Sequence, residues 1–352
     1  MRPLNALAFA LTFAANALPV RAAALTGQNR EEIRKLIGAR DTYLAYSAEL
    51  GWTLRPSAGS GAYRTNSAGL RADQEYPPKA PPGVLRAAAF GDSYVHGDDV
   101  AGKDTWTAFA SSSGTSVEVL NYGVSAYGLD QALLRYKLEG GRFHPDFVLI
   151  GFMAATLHRN ISTFRPFWDP AAGMPFAKPR FILKDGRLVL IPNPMAKLAD
   201  YRSLLENPEL WLPQLAAHDW FYQRRHGGAS DAATQELSYN PGSEGFDIAV
   251  ALLETFHKQV ERDERSPLIL IFPHRPIVAL RRSGGRPYPQ LLRALEARGL
   301  QFIDLVETLA ASELPVGALF TSTDHLSPAG NRLVARAVLE RLWATGQSRV
   351  PR

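Results

Sequence analysis

The chain has 352 residues, 46% of them hydrophobic and 21% charged, which fits one large globular domain or one domain with extensions. Its formal charge of +5, from 39 basic and 34 acidic residues, is too small for an electrostatic nucleic-acid surface. No cysteine is present, so disulfides and lipoprotein anchoring are excluded. The segment Leu4 to Leu18 is apolar and uncharged, follows Arg2, and leads into Val20-Arg-Ala-Ala-Ala24. It reads as a secretory signal peptide over residues 1–24, too short to span a bilayer, which takes roughly 20 residues. Export without disulfides suits a bacterial periplasm or exterior, with no stable membrane anchor after cleavage. Removing Arg2 and Arg21 from the 39 basic residues leaves 37 against 34 acidic, or +3.

Residues 25–84 form a lead-in region. Asn29 to Ser47 carries helical signals: an Asn cap, acidic Glu31-Glu32, then apolar Ile33, Leu36 and Ile37. Leu50 to Pro82, rich in Gly, Ser and Pro, reads as irregular or short-stranded. From Leu85 the chain alternates. Short apolar runs at Leu85–Phe90, Val117–Leu120, Phe147–Phe152, Leu268–Phe272 and Gln301–Leu305 are expected strands. Helical patterns fall at Thr105–Ser112, Leu129–Glu139, Ile248–Arg262, Tyr288–Arg298 and Pro328–Trp343. That alternation predicts an α/β fold, a three-layer α/β/α sandwich around a mostly parallel sheet, over residues 85–345. Residues 153–246 interrupt the rhythm as an insertion after the third strand. Within it, Phe181–Ile191 reads as a hairpin turning at Asp185-Gly186 in type I′ geometry. The aromatics Trp168, Trp211 and Trp220-Phe-Tyr222 suit either a packed elaboration or a lid over a binding surface.

Three segments carry chemistry. Phe90-Gly-Asp-Ser-Tyr-Val-His-Gly97 places Ser93 directly after the first strand, at the sheet edge where open α/β folds put their ligand sites. Asn121-Tyr-Gly-Val-Ser-Ala-Tyr-Gly128 follows the second strand, and Thr323-Asp-His-Leu-Ser-Pro-Ala-Gly-Asn331 the last. Serine early, a glycine-rich turn next and histidine late resemble the SGNH/GDSL hydrolase superfamily, from about Arg86 to Leu342. Val95 stands where a Gly-x-Ser-x-Gly elbow needs its last glycine, which argues against the α/β-hydrolase fold.

The resemblance implies a flavodoxin-like sheet and Ser-His catalysis, with Ser93 as nucleophile and His325 as base. The superfamily typically has an Asp three residues before its histidine, where this chain has Ser322. Asp324 is the leading choice to orient His325, with a backbone carbonyl or Asp304 as alternatives. For the oxyanion hole the resemblance implies the N–H groups of Ser93 and Gly123 and an Asn side chain after the third strand. That stretch, Gly151-Phe-Met-Ala-Ala-Thr156, holds no Asn. Asn160 reaches the site only if the chain curls back; otherwise Thr156 or a backbone donor serves. Asp92 is expected to brace the turn. His274 and Arg275, in a basic loop after the fourth strand, are candidate contacts to an acidic sugar or carboxylate, or simply a solvated loop. Nothing in the pattern suggests a metal or a cofactor.

The leading expectation is an exported esterase acting on an acylated small molecule or polysaccharide. A polysaccharide O-acetyltransferase with the same triad, and a non-catalytic glycan-binding or assembly protein on a degraded hydrolase fold, are the alternatives.

Overall fold

The computed structural model describes residues 25–38, 42–169, 174–226 and 240–346. The expected signal segment lies outside them. Five strands form the central sheet: β1 (Leu85–Gly91), β2 (Val117–Gly123), β3 (Phe147–Met153), β4 (Ser266–Phe272) and β5 (Phe302–Asp304). They lie in the order β5-β4-β3-β1-β2 and every pairing is parallel. This is the flavodoxin-like order 2-1-3-4-5, whose strand direction of travel reverses between β1 and β3 and leaves a crevice at their carboxyl ends.

Period-two alternation divides each strand between two cores. Ala88, Phe90, Leu120, Val148, Ile150, Ile269 and Ile271 face the helices Leu129–Glu139, Glu244–Arg262 and Pro289–Glu296. Ala87, Ala89, Val119, Leu149, Leu268 and Leu270 face Trp106–Ser111, Leu305–Ala310 and Pro328–Gly346. With both faces covered, the strands can be continuously apolar. Each fully buried Leu, Ile or Phe contributes on the order of 1.5–3 kcal/mol.

A third core joins the lead-in region to the insertion. Leu25, Ile33, Leu50, Trp52 and Leu54 pack with Phe164, Phe176, Tyr201, Leu204 and Leu212, and with Val124 and Tyr127 after β2. Trp52 Nε1 donates to Ser125 O at 3.1 Å, and Tyr127 OH to Trp52 O at 2.6 Å. Most insertion aromatics therefore serve packing. The expected hairpin is present as Arg180–Lys184 paired with Arg187–Ile191. Asp185 and Gly186 take φ of 51° and 71°, as a type I′ turn requires.

The lead-in departs from expectation. The helix covers Gly27–Gly38, and Thr26 rather than Asn29 caps it, the two residues exchanging N–H bonds at 3.1 Å. Leu44–Ser47 is a strand paired antiparallel with Gly51–Leu54. Tyr43, Leu44 and Tyr46 pack onto the third core, and that burial overrides local helix signals. Arg275–Arg282, read as a basic loop, is a helix started by Pro276.

Asp304, at the end of β5, accepts from Val306 N and from Tyr288 OH and so caps the next helix. Burial pushes its carboxyl up to about 6. An unfolded aspartate titrates near ~3.9. The folded state thus holds this proton more tightly, which favours folding below that value, and the advantage is lost as pH rises through about 6. Asp304→Asn keeps the cap. It should stabilise the protein by on the order of 1 kcal/mol at neutral pH and hardly at all near about pH 4. Urea denaturation at the two pH values checks this; an equal effect at both would rule out the raised carboxyl.

Candidate active site

β1 ends against β3 so closely that a Cβ at Gly91 would lie 2.2 Å from Gly151 O. The chain then turns into a single helical turn, Ser93–His96, capped by Asp92, whose Oδ1 accepts from Tyr94 N at 2.9 Å. Asp92 Oδ2 accepts from Met153 N at 3.0 Å, tying the turn to the end of β3. This is the bracing role expected of Asp92. Burial raises the Asp92 carboxyl, against the lowering charges of Arg159 and, more weakly, His325. Ser93 thus sits at the β1/β3 switch point, and neither its N–H nor its Oγ has a hydrogen-bond partner among the described residues.

His325 lies in the turn between the Val316–Leu319 helical segment and the Pro328–Gly346 helix. Tyr94 holds this turn against the serine's: its hydroxyl donates to Asp324 O at 2.7 Å, and its ring lies 5.4 Å from the imidazole. His325 Nδ1 is 2.7 Å from Asp99 Oδ2, leaving Nε2 without a protein partner among the described residues.

Asp99, and not Asp324, is therefore the carboxylate on His325. Asp324 also takes a positive φ, 68°, and its carboxylate pairs with Arg275 Nε at 3.0 Å. Asp304 is occupied by Tyr288 and its helix cap. The Thr321 and Thr323 hydroxyls also donate to Asp99 Oδ2. Burial pushes the Asp99 carboxyl up, but the bonds from Thr323, His325 and Thr321 and the charge of His325 outweigh it and hold the pKa below its ordinary value.

The loop carrying Asp99 is braced from the lead-in region. Tyr63 OH accepts from Asp99 N at 2.8 Å, and Tyr43 OH contacts His96 Nε2 at 2.7 Å. His96 Nδ1 lies 2.5 Å from Asp98 Oδ1, which also accepts from Ser125 Oγ at 2.8 Å. Burial lowers the His96 pKa, so this ring is held neutral as a strut. Sequence reasoning missed Asp99, Tyr94, Tyr43 and Tyr63. The available signal was the Asp98-Asp99 pair just past Gly97, two carboxylates directly after the nucleophile turn.

The expected oxyanion donors are redistributed. Gly123 N donates to Asn121 Oδ1 at 2.9 Å and is not free. Its lack of a side chain serves packing instead, because a Cβ there would lie 2.2 Å from His96 N. The chain after β3 does curl back, as two short 3-10 stretches joined by a kink at Thr156, over Ala154–Ile161. It directs Asn160 Oδ1 to Leu129 N at 2.9 Å, so Asn160 caps a core helix. Thr156 Oγ1 donates to Met153 O. The residue that reaches the nucleophile turn is Arg159, its Nη1 3.9 Å from Asp92 Oδ2 and 3.1 Å from Tyr127 O. Arg275 donates to Thr321 O and forms an ion pair with Asp324 Oδ1 at 3.0 Å, so it fastens the His325 turn. His274 starts the Arg275–Arg282 helix, and burial lowers its pKa.

Fold and site together define an open α/β protein with a Ser, His and Asp cluster at the switch-point edge. No family model matches the chain, and no curated protein does. Among solved structures, an acetyl xylan esterase aligns at 11% identity and TM-score 0.39, covering 73% of this chain and 100% of that one. The lipase/acylhydrolase from Enterococcus faecalis aligns at 14% and 0.38, covering 74% and 95%. A putative lipolytic protein of the G-D-S-L family from Desulfitobacterium hafniense aligns at 10% and 0.36, covering 73% and 98%. These likenesses are too slight to assign an activity, and the functional reading rests on this chain's own residues.

Proposed function

We propose that the chain is a serine esterase of the SGNH/GDSL type, exported to a bacterial periplasm or exterior, that releases acyl groups from a carbohydrate or lipid ester. The observation that carries this reading is the 2.7 Å contact of His325 Nδ1 with Asp99, which leaves Nε2 unpartnered among the described residues, on a turn fastened by Tyr94 to that of Ser93. Asp99 accepts the Nδ1 proton and so fixes the tautomer whose Nε2 can act as a base.

Ser93 Oγ attacks the ester carbonyl carbon as its proton passes to His325 Nε2, and the carbonyl π pair moves onto oxygen. Collapse of the tetrahedral anion expels the alcohol, which takes the proton from His325. Water repeats the sequence on the acyl-enzyme and releases the acid. A sugar hydroxyl in place of that water would make the enzyme an O-acetyltransferase. The non-catalytic reading rests on two departures, the missing oxyanion Asn and a displaced orienting carboxylate; the Asp99 contact to His325 speaks against the second, while Asn160 caps a helix and leaves the first in place.

A fluorophosphonate probe tests the reading, since only an activated serine reacts with it. The wild-type protein should carry the adduct on the peptide containing Ser93, and His325→Ala should react far more slowly. An unreactive wild-type protein would favour the non-catalytic alternative.

A further inference from the structure

Arg159 is mostly buried, with its side chain 15% exposed, and is poorly partnered for a buried cation. Of its five N–H groups, the structure satisfies one at Nη1, through Tyr127 O at 3.1 Å. Nε is buried without a partner, and Nη2 makes no hydrogen bond among the described residues. The nearest carboxylate, Asp92, is 3.9 Å away, and its two oxygens already accept from Tyr94 N and Met153 N. The guanidinium therefore lies between the loop after β2, which carries Tyr127, and the residue preceding Ser93. The side chains read from sequence as oxyanion donors are committed elsewhere: Asn160 caps a helix and Thr156 bonds Met153 O. Burial depresses the Arg159 pKa, and the first opposing influence is the charge of Asp92.

We propose that Arg159 is a catalytic residue that donates N–H bonds to the anionic oxygen formed when Ser93 attacks an acyl carbonyl, acting with the free Ser93 N–H. The proposal rests on the esterase reading above. The negative charge exists only between attack and collapse, so a cation held next to Asp92, the residue before Ser93, stabilises the transition state more than the neutral ester. Fixing it in place beforehand costs no reorganisation during the reaction, and the hydrogen bonds are charge-assisted.

The test compares wild-type protein with Arg159→Ala, Arg159→Lys and Ser93→Ala on a short aryl ester, with folding followed by thermal denaturation. An arylboronic acid, which forms a tetrahedral anion on an active serine, serves as a second probe. The expected result is a fall in kcat of about 10²–10³-fold in Arg159→Ala with KM within about threefold. Boronate affinity should fall in parallel, and added guanidinium at non-denaturing concentration should restore part of the rate in Arg159→Ala but none in Ser93→Ala. If Arg159→Ala does not fold, Arg159→Lys carries the test: it keeps the charge but loses the planar fork, and should lose at least about tenfold in kcat and in boronate affinity.

A folded variant with kcat within about threefold of wild type would overturn the proposal. So would a loss confined to KM, which would make Arg159 a ground-state contact to an anionic part of the substrate. A rate loss with unchanged boronate affinity and no rescue would assign Arg159 to structure alone. If wild-type protein neither turns over aryl esters nor binds the boronate, the esterase reading itself fails and this proposal falls with it. Turnover by wild type with unaffected Arg159 variants would overturn this proposal alone.

Discussion

Ser93→Ala is expected to abolish turnover of short aryl esters, with a loss on the order of 10³–10⁶-fold, because in the proposed mechanism Ser93 Oγ is the atom that carries the acyl group. The hydroxyl makes no hydrogen bond among the described residues, so removing it orphans none of their buried donors or acceptors. Asp92, Tyr94 and Gly91 hold the turn without it. The free energy of unfolding should therefore change little, by about 0.5–1 kcal/mol at most. Activity and thermal denaturation on the same preparation check both halves. Wild-type turnover in the variant would end the assignment of Ser93 as nucleophile.

Asp99→Asn should cost on the order of 10²–10⁴ in kcat with KM little changed, because an amide in place of the carboxylate on His325 Nδ1 favours the wrong imidazole tautomer and cannot balance the imidazolium charge of the proposed mechanism. Asp324→Asn provides the contrast. Its side chain pairs with a partly exposed Arg275 and does not touch the imidazole, so its effect should be within a few-fold, exerted through the anchoring of the turn. The reverse order of effects would return the orienting role to Asp324. Asp99 also has a stability signature. Its carboxyl titrates below the ordinary value, so its contribution is present above the unfolded pKa, near ~3.9, and is lost as pH falls through the folded value. Asp99→Asn should remove that part of the acid sensitivity.

The chain's own pattern determined the architecture and two members of the site. Apolar runs of strand length separated by helical patterns leave little choice but a covered parallel sheet, and all five expected strands are present with ends shifted by a few residues at most. The hairpin at Asp185-Gly186 was legible because a type I′ turn needs two residues that tolerate positive φ. The placement of Ser93 at the end of β1 and His325 in the last loop followed from chain order and from where parallel strands end.

Tertiary structure alone decided which side chains meet there. Asp99 and Asp324 both adopt positive φ, near 68°, yet one carboxylate faces the imidazole and the other faces Arg275. Spacing cannot distinguish them, because the direction of a loop side chain depends on a few dihedrals set by distant anchors. Here those anchors are Tyr63 for Asp99 and Tyr94 for the His325 turn. Arg159 and Asn160 are neighbours in one 3-10 segment, and its twist directs Arg159 to the nucleophile turn and Asn160 to a helix N-terminus. The lead-in and the insertion read as separate additions because each has its own local pattern. They share one core, which Tyr43 packs against, and the Tyr43 ring in turn lies 5.6 Å from that of Tyr63, whose hydroxyl accepts from Asp99 N.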